Sequence, residues 1–251
     1  MPLRASSSTR SPPDLALLDF MMARAHKARP MSLLVKICGI DRVEAADAAI
    51  AGGADFCGLN FHPHSPRFLK PDAAHVLADR LRNRTRVVVL LCDPGDEQVA
   101  SAISVAKPDF LQLHGDEPPA RLAHIRSRFG ISLIKALPVA DNADFVRVAS
   151  YEPVADMLLF DAKAPPAALR PGGHGAAFDW TLLRGRRFQR PWLLAGGLTP
   201  ENVARAVAVS GARAVDVSSG VEGSPGQKSP DLIRAFIANA RASAHIPESQ
   251  T

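Results

Sequence analysis

The chain has 251 residues, 47% of them hydrophobic but only 6% aromatic, and a net charge of +5. That length suits one α/β barrel, and no apolar run approaches the roughly 18–20 residues of a membrane span, so the chain reads as soluble and without a membrane partner. The positive charge does not point to nucleic acid: residues 1–30 hold a net +3, and the other +2 is spread with no basic stripe or interleaved aromatics.

Residues 1–30 differ in character from the rest of the chain. They open with a Ser-, Arg- and Pro-rich stretch, offer a weak helical pattern over 15–25, and lack the apolar core of a secretory signal. They are expected to be a disordered extension or to lie upstream of a true start at Met31, with an organelle transit peptide as the weaker alternative. Residues 31–251 are then expected to form one domain.

From residue 33 the pattern alternates. Short apolar runs suited to buried strands fall at 33–39, 56–61, 86–92, 110–114, 132–137, 157–161, 192–197 and 214–218. A segment of helical spacing comes after each of them, at 43–51, 72–81, 97–106, 119–129, 143–150, 180–184, 200–210 and 232–242. Strict alternation implies parallel strands with crossover helices. Closing eight strands on themselves gives a single (β/α)8 TIM barrel, with a doubly wound open sheet as the alternative. The latter would be favoured by GxGxxG after the first strand, where the chain has Cys38-Gly39-Ile40-Asp41.

The three cysteines, Cys38, Cys57 and Cys92, are odd in number and form no CxxC pair. This argues against a disulfide framework or zinc site and for a reducing compartment, here the cytoplasm. His62, His64 and His114 do not complete a convincing ligand set, so no metal is expected.

In parallel barrels the C-terminal strand ends carry the chemistry. The first strand delivers Cys38, either a small core residue or a reactive thiol. The second leads to Arg67, either an ordinary surface arginine or a bidentate clamp for a carboxylate. The fourth delivers Gln112 and His114, the sixth Asp161. The seventh ends in Gly196-Gly197 and the eighth in Asp216-Val217-Ser218-Ser219-Gly220. Glycine turns after strands seven and eight point to a phosphate cradle rather than to tight turns alone. Cys38 and Asp161, at the ends of strands one and six, suit a base and an acid acting on a bound sugar. A thiol with an ordinary pKa of about 8.5 needs a positive field to serve as that base. Lys36 shares parity with Cys38, and strand eight closes onto strand one. Lys36 and Asp216 are therefore expected to pair inside the barrel, with a cation beside the thiol.

Taken together, Lys36-Ile37-Cys38-Gly39, Ser65-Pro66-Arg67, Gln112-Leu113-His114-Gly115, Leu159-Phe160-Asp161, Gly172-Gly173-His174-Gly175, Ala195-Gly196-Gly197-Leu198 with Asn202, and Asp216 to Glu222 resemble the phosphoribosylanthranilate isomerase family of tryptophan biosynthesis. The resemblance covers about residues 31–242. It implies an Amadori rearrangement of a phosphosugar without metal or organic cofactor. Asp161 would be the general acid and Cys38 the general base. Arg67 would hold the anthranilate carboxylate, and the turns at Gly197 and Ser219-Gly220 the phosphate. The expected substrate-binding set is Arg67, His114, Gly173, Gly196, Gly197, Asp216, Ser219 and Gly220. His174 departs from the Thr, Ser or Asn common in the family and is expected to alter loop contacts. Monomers and homodimers both suit this scaffold. A silent phosphoribosyl-ligand binding barrel is the alternative of another class; binding alone requires neither Cys38 nor Asp161.

Overall fold

The computed structural model describes residues 33–163 and 177–243. The N-terminal stretch and Gly172-Gly173-His174-Gly175 lie outside the described residues. Eight parallel strands form a closed barrel in chain order: β1 Leu34–Cys38, β2 Phe56–Asn60, β3 Arg86–Leu91, β4 Phe110–Leu113, β5 Ser132–Val139, β6 Met157–Ala162, β7 Trp192–Leu194 and β8 Ala214–Val217. β8 pairs with β1, and the register sets Lys36 opposite Asp216 and Cys38 opposite Gly58.

Alternation along each strand divides the side chains into two sets. Val35, Ile37, Cys57, Leu59, Leu111 and Leu133 belong to the layer packed against the helices. Cys38, Gln112, Asp161 and Asp216 take the other parity and line the barrel. The helices are α1 Val43–Gly52, α2 Pro71–Leu81, α3 Asp96–Ala106, α4 Pro119–Phe129, α5 Val148–Tyr151, α6 Val203–Ser210 and α7 Pro230–Ser243. Alanine is what lets them approach the sheet closely: α1 buries Ala45, Ala46, Ala48 and Ala49. At the opposite face from the chemistry, Asp55, Asp109 and Asp156 each accept the amide of a neighbouring strand, from Val35, Val87 and Leu133 at 2.7–2.8 Å.

Two helical expectations need correction. The segment expected as one helix at 143–150 begins as a 3-10 helix, Asn142–Arg147, and becomes α-helical only in α5. Asp144 Oδ2 tightens its start by accepting the amides of Ala140 and Asp141. A three-residue period aligns Phe145, Val148 and Tyr151 on the core side and turns Val146 out to 83% exposure. The expected helix at 180–184 is a single 3-10 turn, Trp180–Leu183, capped by Asp179. Only its i, i+3 pair, Trp180 and Leu183, is buried. Beyond β8, a small hairpin of β9 Glu222–Ser224 and β10 Gln227–Lys228 has no counterpart among the expected elements.

Candidate active site

Cys38 ends β1 with only 5% of its surface exposed. Lys36, two residues deeper, donates to Asp216 Oδ1 at 2.8 Å, so the expected pair forms and is buried. Facing it, Gly58 has no side chain; a Cβ there would lie 3.0 Å from the Cys38 sulfur and 3.4 Å from Lys36 Nζ. Burial works to lower the Lys36 pKa, but Asp216 and Cys38 outweigh it and hold the ammonium charged. Burial pushes the Cys38 thiol up; Lys36 and Lys228 oppose this, and Asp216 adds to it. The cation is thus in place, yet the resting thiol stays above its ordinary value rather than below it.

Arg67 is not an ordinary surface arginine, being 5% exposed. Its Nε and Nη2 donate to Glu222 Oε1 and Oε2 at 2.5 and 3.0 Å. Lys228 Nζ donates to Glu222 Oε1 and to the Ser218 carbonyl, each at 2.8 Å. Burial alone would raise the Glu222 pKa, but Arg67 and Lys228 bring it down to about 2. Burial lowers the Lys228 pKa, with Glu222 opposing. In the sequence Glu222 stands out only as the end of a motif, and Lys228 not at all. Neither has a periodic signal, because both belong to the short hairpin after β8.

Asp161 is the penultimate residue of β6 and is nearly buried. Its Oδ1 accepts the Ala162 amide at 2.8 Å, and His114 Nε2 stands 3.3 Å from its Oδ2. On its far side His114 Nδ1 meets the amide nitrogen of the fully buried Gln112 at 2.9 Å. Glu117 and Lys135, which no sequence motif singles out, fix the loops at this edge. Glu117 Oε1 accepts the amides of Asp93 and Gly115 at 2.8 and 3.0 Å, while Oε2 takes Lys135 Nζ at 2.6 Å. His62 and His64 meet edge-to-face with centroids 5.4 Å apart on the loop after β2. Among the described residues no group of three or more His, Cys, Asp and Glu is placed to hold a metal.

The turns after β7 and β8 pack on each other. Gly196 and Gly197 have φ of 83° and 65°. Asn202 ties that turn, donating from Nδ2 to the Gly197 carbonyl and accepting the Thr199 amide at Oδ1, both at 2.8 Å. Gly220 lies so close that a Cβ would fall 1.8 Å from the Leu198 carbonyl oxygen. Ser219 opens the 3-10 turn Ser219–Val221 beside it. Asp216 sits deeper, as the partner of Lys36. Gly173 is outside the described residues.

The profile of a family described as "PRAI: N-(5'phosphoribosyl)anthranilate (PRA) isomerase" matches residues 35–239. An N-(5'-phosphoribosyl)anthranilate isomerase of Rhodopseudomonas palustris (strain BisA53) is 49% identical over 216 residues, 86% of this chain and 99% of the relative. A crystal structure of phosphoribosyl anthranilate isomerase from Thermotoga maritima superposes with a TM-score of 0.75 at 38% identity, covering 84% of this chain and 99% of that one. Another, of the isomerase in complex with reduced 1-(O-carboxyphenylamino)-1-deoxyribulose 5-phosphate, has a TM-score of 0.71 at 34% identity, with coverage of 84% and 99%. With the barrel, the strand-end thiol and carboxylate and the paired glycine turns in place, these matches settle the lineage: the chain belongs to the phosphoribosylanthranilate isomerase family.

Proposed function

We propose that the protein converts N-(5'-phosphoribosyl)anthranilate to 1-(2-carboxyphenylamino)-1-deoxyribulose 5-phosphate in tryptophan biosynthesis, with Asp161 as general acid and Cys38 as general base. The observation that carries this assignment of roles is the order around the barrel. The glycine turns after β7 and β8 lie between β6, which bears Asp161, and β1, which bears Cys38. A sugar phosphate anchored by its phosphate at Gly197, Ser219 and Gly220 therefore has an acid on one flank and a base on the other.

Asp161 gives its proton to the furanose ring oxygen as the C1–O bond breaks, and the anilino nitrogen lone pair forms a protonated Schiff base. That iminium acidifies the neighbouring C–H, so the Cys38 thiolate can take the C2 proton. The electron pair left behind neutralises the iminium and yields an enolamine. Protonation at C1 and loss of the C2 hydroxyl proton then give the ketone, returning the proton that Asp161 supplied. A thiolate is a sufficient base here because the imine has done the activating; on an unactivated sugar it would be too weak. Arg67 receives the anthranilate carboxylate, and His114, reaching Asp161, orients the acid. The three unpaired cysteines fit work in the cytoplasm.

Loss of anthranilate-type fluorescence on mixing purified protein with freshly prepared substrate tests the activity. Cys38→Ala and Asp161→Asn test the roles. Near wild-type turnover in either variant would refute that residue's part.

A further inference from the structure

Arg67 meets Glu222 along one particular edge. The bonds run from Nε and Nη2, the side-on edge of the guanidinium. This leaves the end-on edge, Nη1 with the outer Nη2 hydrogen, and no described residue takes Nη1. The arginine cannot readily swing to offer another edge. Its stem lies across Gly39, the residue after Cys38, where a Cβ would come 2.6 Å from Arg67 Cδ. With φ of 77°, Gly39 is doubly constrained to lack a side chain.

Glu222 is held as firmly as it holds. Lys228 Nζ and the Gly226 amide, at 2.8 and 3.0 Å, complete four donors on its two oxygens. The hairpin carrying these groups is itself seated beneath the loop that bears Arg67. Gly226 packs so tightly on Pro66 that a Cβ would fall 2.7 Å from the Pro66 carbonyl oxygen. Two buried cations, Arg67 and Lys228, share this single carboxylate. A purely structural ion pair would be neutral; this cluster keeps one positive charge over, beside the thiol, and a buried surplus charge is costly until an anion meets it.

We propose that Glu222 is a positioning residue for substrate recognition: by occupying the side-on edge of Arg67, it obliges the guanidinium to present its end-on edge to the ring carboxylate of the substrate. Lys228 supports this from beneath by holding Glu222 ionised and in place. The inference rests on the reading of Arg67 as the carboxylate receptor and goes beyond it by naming what selects the edge.

The test compares two ligands, the reduced product analogue bearing a 2-carboxyphenyl group and the same compound with a plain phenyl group, titrated calorimetrically. The wild-type protein is expected to favour the carboxylated ligand about tenfold or more, the worth of one charge-assisted pair. In Glu222→Gln that preference collapses while binding of the phenyl ligand is retained, and in turnover KM rises with kcat nearly kept. Glu222→Asp is the companion variant. It keeps the charge but is one methylene too short to span both donors, so it too should lose the preference. Retention of the full preference in a folded Glu222→Gln or Glu222→Asp protein overturns the proposal. Arg67→Met separates the two readings: if it keeps the preference, Arg67 is not the receptor. If it loses the preference while the Glu222 variants keep it, only the positioning role fails.

Discussion

The two flanks of the barrel mouth are built differently. On the β8–β1–β2 flank every charged side chain has a fixed partner: Lys36 with Asp216, and Arg67 and Lys228 with Glu222. On the β4–β6 flank Asp161 has its own neighbouring amide and one histidine at 3.3 Å. Cys38, the proposed base, sits in a preorganised cationic frame, whereas Asp161, the proposed acid, has the fewer partners. The cationic frame suits its task. A thiol must yield a thiolate, which needs fixed positive charge nearby.

The comparison can be broken at its strongest point first. Cys38→Ala and Asp161→Asn should each lower turnover ~10²–10⁴-fold with modest change in KM, the range of a lost proton-transfer group. Steady-state fluorescence assays decide it. Next comes Asp216→Asn, which leaves Lys36 buried without its carboxylate. A cost of about 3–5 kcal/mol is expected in urea unfolding. Because Asp216 also pushes the Cys38 thiol up, the same variant should bring the rising limb of the rate profile to lower pH. An unchanged midpoint and an unchanged profile would show that the pair does not matter to the base.

The pH dependence of the unmodified protein has its origin in the same frame. Burial raises the Cys38 pKa, so the thiolate fraction at neutrality is small and kcat/KM should climb as pH rises toward and past the ordinary thiol value. A profile already flat from neutral pH upward would mean that Lys36 overcomes burial. On the acid side, Glu222 has its pKa lowered from 4.5 to about 2. The unfolded chain then binds this proton first as pH falls, so the stability Glu222 contributes is present above 4.5 and is lost between there and about 2. Glu222→Gln should flatten that part of the acid unfolding curve. The smallest effect is reserved for residues 1–30, which precede the family match at residue 35. Their removal should leave kcat and KM unchanged.

Much of the site is legible in the sequence. Parity along β1 puts Lys36 inside with Cys38, and closure of the barrel then requires Asp216 as its neighbour, as the 2.8 Å bond bears out. Glycine turns after β7 and β8 can be read because backbone geometry demands that residue type locally. Three things are hidden for physical reasons. The 3-10 character of Asn142–Arg147 depends on Asp144 binding amides before it, a local detail that apolar spacing does not report. The Arg67–Glu222–Lys228 cluster joins residues 155 and 6 positions apart along the chain. The direction of the Cys38 shift depends on how much water the fold removes.

The alternation of apolar runs therefore determined by itself the eight strand–helix units and which side chains share a face, because a period of two and a period of 3.6 are properties of the chain; that the eight strands close in chain order was decided by the tertiary structure. Whether Arg67 faces solvent or a carboxylate, which of its edges is taken, and whether a cation beside Cys38 outweighs burial were decided only by tertiary structure. These are sums of desolvation and charge over groups brought together from distant strands, and no local pattern encodes such sums.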